Sequence, residues 1–179
     1  LERLYPNIKI QFNQCVSRSI SCSVTNIEQK VDNKFLTSLE NEMKKIINED
    51  YIISRKNVTK EEAEEFYRSK GYDDKIEVLK YRIDDVVHMY ECDGYVNYLY
   101  GYMVPSTGYL DKFKLSLYNP GFVVQFPRAE ENGEIPKFEA SISFGKMLKD
   151  AREWSKMIGC ENIALLNQYA TDVKINDLV

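Results

Sequence analysis

Thirteen residues, Tyr98 to Leu110, constrain this chain more than any others: Tyr-Leu-Tyr-Gly-Tyr-Met-Val-Pro-Ser-Thr-Gly-Tyr-Leu. Aromatic residues on both sides of Pro105-Ser-Thr-Gly108 predict a strand that runs into a tight turn and out again. Pro105 presets φ at the first central position, and Gly108 is expected at a positive φ that Thr or Tyr would resist. Such a loop offers the hydroxyls of Ser106 and Thr107 to a small polar ligand, with Tyr98, Tyr100 and Tyr102 to stack on it. A plain hairpin with a cross-strand aromatic cluster is the alternative. Spacing alone does not choose between them.

The flanking sequence predicts a mixed fold. Asn7–Cys15 alternates, with Ile8, Ile10 and Phe12 on one face, and Ser19–Val24 alternates again, so Val16-Ser-Arg18 is read as a hairpin turn. Asp32 or Asn33 caps a helix to about Asn48, whose apolar stripe runs Phe35, Leu36, Leu39, Met43, Ile46 and Ile47. Tyr51–Val58 reads as a strand. Thr59-Lys-Glu-Glu62 is a capping box, opening a helix to about Ser69 that Gly71 closes. Asp73 or Asp74 is expected to cap a shorter helix.

Asp85–Cys92, the Asp93-Gly94 turn and Tyr95–Val104 form one expected hairpin. Phe113–Tyr118, Asn119-Pro-Gly121 and Phe122–Phe126 form the clearest one. Amphipathic helices follow, one ended by Gly159 and one over about Glu161–Thr171. The expected organisation is an α+β domain over 1–127, a surface linker over 128–142, and C-terminal helices over 143–179. Its antiparallel sheet is flanked by helices.

Composition excludes some functions. No apolar run approaches the roughly 20 residues of a membrane span, and the charged opening Leu-Glu-Arg-Leu-Tyr-Pro has no signal-peptide pattern. The chain opens on Leu1 rather than methionine and is read as a piece of a longer, cytoplasmic protein. A net charge of −4 and a pI near 5.2 argue against nonspecific nucleic-acid binding, which needs clustered Lys and Arg. Cys15, Cys22, Cys92 and Cys160 form no close pair and are read as buried, reduced thiols.

Catalytic motifs are sparse. His88 is the single histidine and lies on a predicted strand, where a hydrogen-bonded structural role is the ordinary one. There is no Gly-x-Ser-x-Gly elbow. Gly145-Lys146 precedes Met147 rather than Ser or Thr, so it is no P-loop. Dispersed cysteines and one histidine make a zinc site improbable, and no metal or catalytic residue is assigned. Glu61–Glu65 is read as a solvated first turn of a helix.

Tyr100-Gly-Tyr-Met-Val-Pro-Ser-Thr-Gly-Tyr-Leu110, with Phe113-Lys-Leu, Pro120-Gly-Phe122 and Gln125-Phe-Pro127, resembles the N-terminal region of bacterial uridine kinase-like nucleoside kinases. In those proteins a TGS segment and a domain like the second additional domain of threonyl-tRNA synthetase precede a P-loop kinase. More distantly, the chain is similar to threonyl- and alanyl-tRNA synthetase editing domains. There the segment aligned with Asn97–Gly108 reads Asp-Leu-Cys-x-Gly-Pro-His-Val-Pro-x-Thr-Gly. Its Cys and His join two upstream histidines at the editing site; here those two positions are Leu99 and Met103. Leucine cannot ligate a metal, and a neutral thioether is a poor zinc ligand and no general base.

The resemblance thus implies an editing-domain-like fold without the chemistry. The expected role is a non-catalytic accessory domain, ligand-binding or regulatory, attached to a kinase domain that uses ATP and Mg to phosphorylate a nucleoside. This chain needs no cofactor in that reading. Its ligand would be aminoacyl- or nucleoside-like, held at Ser106, Thr107, Tyr98, Tyr100 and Tyr102. A tRNA-editing hydrolase and a structural interface domain that joins protomers into a homo-oligomer are the alternatives.

Overall fold

A computed structural model describes residues 1–139 and 141–172, except for the side chain of Asp74. It is a mixed α+β structure with two antiparallel sheets rather than one, and it divides into two compact units. The first unit comprises Leu1–Ile52 and Val104–Gly145, and the second Ile53–Met103 and Lys146–Val179. Residues 173–179, the end of the expected C-terminal helical segment, lie outside the described residues. The boundary after Met103 cuts through the Tyr98–Leu110 stretch.

In the first unit the sheet order is β1-β2-β7-β6. Strands β1 (Lys9–Val16) and β2 (Ser19–Thr25) pair through the expected turn, where Ser17 and Arg18 take φ of 46° and 59°. β6 (Lys114–Tyr118) and β7 (Gly121–Gln125) form the expected hairpin. Helix α1 (Asn33–Asn48) starts where Asp32 accepts the Phe35 N–H at 3.0 Å, satisfying a first-turn donor. Its stripe buries Phe35, Leu36 and Leu39 with Ile8, Cys22, Leu115 and Phe122. Each large apolar side chain so buried contributes about 1.5–3 kcal/mol. Glu40 also accepts the Leu115 N–H at 3.0 Å, tying the helix to the edge strand β6.

Phe12 departs from the expected alternation. Phe12 pairs with buried Cys22 but, on the edge strand β1, is 64% exposed rather than buried with Ile8; the β1–β2 register shifts only beyond it, between Phe12 and Cys15. The serine face of β2 is covered too, since Ser19, Ser21 and Ser23 are all buried. Within the expected linker, whose residue 140 lies outside the described residues, Arg128 N–H bonds Glu134 O, Pro136 O accepts from Gln125 Nε2, and Glu139 N–H donates to Ser17 Oγ.

In the second unit β3 (Ile53–Thr59), β4 (Val86–Cys92) and β5 (Tyr95–Tyr98) form the sheet. Helix α2 (Lys60–Lys70) carries the full capping box: Glu62 N–H donates to the Thr59 hydroxyl and Thr59 N–H to the Glu62 carboxylate. Gly71 closes it at φ 67°. Helix α3 (Asp73–Lys80) has Tyr72 at its N-cap and no side-chain cap bond, so the expected aspartate cap is replaced. Backbone bonds from Lys75 and Ile76 N–H to the Tyr72 carbonyl start that helix. Ala63, Tyr67, Leu79, Val87 and Met89 make the core.

Two further helices follow, α4 (Ile142–Met157) and α5 (Ile163–Thr171), the latter capped by Asn162. No helix among the described residues is long and apolar enough to cross a membrane.

Candidate functional site

The predicted turn at Pro105–Gly108 is no hairpin. Ser106 makes an isolated bridge to Ile52, and Thr107–Tyr109 form a single 3-10 turn. Thr107 is buried. Its hydroxyl donates to the Ile46 carbonyl at 2.7 Å and accepts the Tyr51 N–H at 2.9 Å, while its own N–H bonds Tyr51 O at 2.9 Å. The end of α1 is thereby clamped to a segment far away in sequence. The single hydroxyl proton of Thr107 is engaged in that clamp.

Gly108 does not adopt the expected positive φ. Its role is close approach: its N–H donates to Asp50 Oδ1 at 2.8 Å, and a Cβ at 108 would lie 2.4 Å from that oxygen. Ser106 also hydrogen-bonds the Asp50 carboxylate. These two bonds, Ser106 first, hold the Asp50 pKa below its ordinary value. Space beside the Asp50 side chain, not dihedral freedom, favours glycine here.

Tyr98, Leu99, Tyr100, Tyr102 and Met103 belong to the second unit. The expected strand to Val104 stops at Tyr98. Beyond it Leu99 N–H still reaches His88 O at 3.3 Å, and the Gly101 carbonyl is taken by the Tyr90 hydroxyl at 2.9 Å. That side-chain bond replaces the ladder. Tyr100 and Tyr102 are 80% and 87% exposed, and Arg55 stacks over Tyr102 at 4.9 Å. Leu99 and Met103 also reach the surface. Neither carries a group that can take a proton.

A pocket of about 220 Å³ lies wholly within the second unit, lined by Tyr67, Lys75, Val78, Leu79, Arg82, Asn97 and Tyr98. Of the predicted ligand residues only Tyr98 is in it. Lys75, Val78 and Leu79 follow helical spacing on one face of α3, and Arg82 follows two residues past its end. Lys75 Nζ donates to Asn97 Oδ1 at 2.7 Å and sits 4.2 Å from the Tyr72 ring centroid. Arg82 Nη1 donates to the Tyr98 hydroxyl at 3.0 Å and Nη2 to Val86 O at 2.9 Å. Sequence reasoning did not assign Lys75 or Arg82 to a site. Their spacing marks a helix face, but nothing local in sequence tells that β5 covers it.

Other reactive groups are dispersed. His88 Nδ1 pairs with Asn57 Oδ1 at 2.9 Å across β3 and β4, the structural role expected. Among the cysteines only Cys22 is buried, not all four as expected, and Cys15 on the edge strand β1 is exposed. Burial pushes the Cys22 thiol up to about 11. Among the described residues no three His, Cys, Asp or Glu side chains converge as metal ligands would.

No protein-family model matches the chain. Over 114 residues, 64% of its length, it is 32% identical to threonine–tRNA ligases of Streptococcus pyogenes serotype M5 (strain Manfredo), serotype M49 (strain NZ131) and serotype M3 (strain SSI-1). The aligned region spans 17% of each of those enzymes. The chain thus carries a domain related to a region of threonyl-tRNA synthetase. That likeness is distant.

Proposed function

We propose that this chain is a non-catalytic, ligand-binding accessory domain of a larger cytoplasmic protein of the uridine kinase-like type. The attached P-loop domain, with ATP and Mg, would phosphorylate a nucleoside. The observation that carries the non-catalytic part is the identity of two residues: Leu99 and Met103 stand where the synthetase pattern has Cys and His. General base catalysis needs a group whose pKa lies near the working pH, and neither side chain has one. Thr107 and Gly108, which match the Thr-Gly of that pattern, hold their own segment to Ile46 and Asp50 by the bonds described above.

The test has two arms. The purified chain, given mischarged aminoacyl-tRNA, should release no amino acid above the uncatalysed rate. The longer parent protein, given uridine and ATP, should form the monophosphate. Deacylation by the chain would refute the first half of the proposal, and failure of the parent to phosphorylate any nucleoside the second.

An interface role is a second reading, supported by α4. None of its 16 residues is buried, and Met147, Trp154 and Met157 are each at least half exposed. Apolar residues repeated along one helix suit a partner helix or a second copy of the chain.

A further inference from the structure

The pocket between α3 and β5 combines features that the role of an empty groove does not explain. Its walls are apolar, with Val78 and Leu79 on the helix and the rings of Tyr67 and Tyr98 around them. Two cations line it, Lys75 on α3 and Arg82 just past the helix end. None of the described residues lining it is acidic, in a chain whose net charge is −4. Outside the lining, Arg82 makes a long ion pair with Asp84, 3.8 Å away, whose side chain is 74% exposed.

Arg82 itself is drawn in, its side chain only 15% exposed. Its plane lies against Tyr98, 5.3 Å from the ring centroid. Of its five N–H groups, two serve Tyr98 and Val86, and Nε is buried without a partner among the described residues. Drawing a guanidinium this far from water is costly unless anionic or strongly accepting groups compensate. The fold supplies one hydroxyl, one carbonyl and the largely solvated Asp84 carboxylate at 3.8 Å. An anion in the pocket would supply the missing counter-charge to the guanidinium.

We infer that this pocket binds a small organic anion: a single apolar ring or short chain carrying one carboxylate or one phosphate. Volume sets the size, since about 220 Å³ lies below the ~300–1,000 Å³ of pockets for larger ligands. The tyrosine, valine and leucine walls take the apolar body, and Arg82 and Lys75 hold the charge. A free amino acid fits less well, because its ammonium would meet two cations and no lining carboxylate. The inference rests on the reading of the chain as a binding domain and adds to it the ligand class.

The experiment is a titration of the isotope-labelled 179-residue chain, followed by NMR, with benzoate, phenyl phosphate and uncharged benzamide. Benzoate or phenyl phosphate should give saturable shifts at Val78, Leu79 and Asn97, and the tighter of the two identifies carboxylate or phosphate as the natural group. Benzamide, the same ring without charge, should bind at least about tenfold more weakly. Arg82→Gln should weaken the anions by a similar factor. Val78→Trp keeps both cations but fills the cavity, and should abolish binding. Equal binding of benzamide, anion binding untouched by Val78→Trp, or no saturable shift up to about 10 mM probe would each overturn the inference. Deacylation by the chain would leave this site standing while refuting the non-catalytic reading.

Discussion

Thr107 donates its hydroxyl proton to the carbonyl of Ile46 at 2.7 Å, joining residues 61 apart in sequence. The same oxygen accepts the Tyr51 N–H. A residue placed by its sequence context in a ligand loop therefore closes the C-terminal end of a helix. Last-turn carbonyls of a helix have no intrahelical partner, and Thr107 supplies one.

Replacing Thr107 by valine keeps the volume and removes both bonds, leaving a buried carbonyl and N–H without that partner. The expected cost is about 1–3 kcal/mol, read as a lower denaturation midpoint in urea at unchanged slope. Thr107→Ser should recover most of it. A valine variant as stable as the parent would show that the clamp contributes nothing.

Gly121 begins β7 hard against β2, where a Cβ would fall 2.1 Å from the Cys22 carbonyl oxygen. Backbone cannot swing aside as a side-chain tip can. Gly121→Ala should destabilise the chain by about 1–3 kcal/mol or more, as overpacking does. Gly108→Ala meets only the movable Asp50 carboxylate and should cost less. Thermal melts of the two variants give the order directly.

Asp50 links stability to acid pH. Its folded pKa lies below the unfolded value, because Ser106 and the Gly108 N–H bond the carboxylate. The unfolded chain therefore takes up the proton first. The contribution is present above the ordinary aspartate pKa and is lost as pH falls through the lower folded value. Asp50→Asn should flatten that acid limb in melts taken from pH 5 to pH 2, and an unchanged limb would contradict the assignment.

Cys22 works in the opposite direction. Burial raises its folded pKa from 9.0 to about 11, so the unfolded thiol ionises first and the stability it contributes is lost across that interval. Reactivity follows, since the thiolate is the nucleophile. Iodoacetamide at pH 8.5 should label exposed Cys15 in the native chain and reach Cys22 only after denaturant is added. Equal native rates would contradict the burial.

What was legible in the sequence was local. The Thr59–Glu62 capping box, the Asp32 cap and the Phe113–Phe126 hairpin all rest on residues within a few positions of each other, and each is present. What was hidden depends on distant partners. The exposure of Phe12 goes with the place of β1 at the sheet edge, and the Pro105–Gly108 conformation follows from Ile46, Asp50 and Ile52. Lys75 and Arg82 were visible as a helical face, yet Asn97 and Tyr98, which make that face a pocket, come from a strand beyond the next hairpin turn.

The absence of editing chemistry is the central claim, and a deacylation assay tests it most directly. Purified chain is incubated with mischarged aminoacyl-tRNA at neutral pH, and amino-acid release is compared with the protein-free rate and with Ser106→Ala. The account predicts the same slow release in all three, because Leu99 and Met103 cannot activate water. Release above the protein-free rate that disappears in Ser106→Ala would contradict it, showing that a hydroxyl has taken over the work of the missing Cys and His.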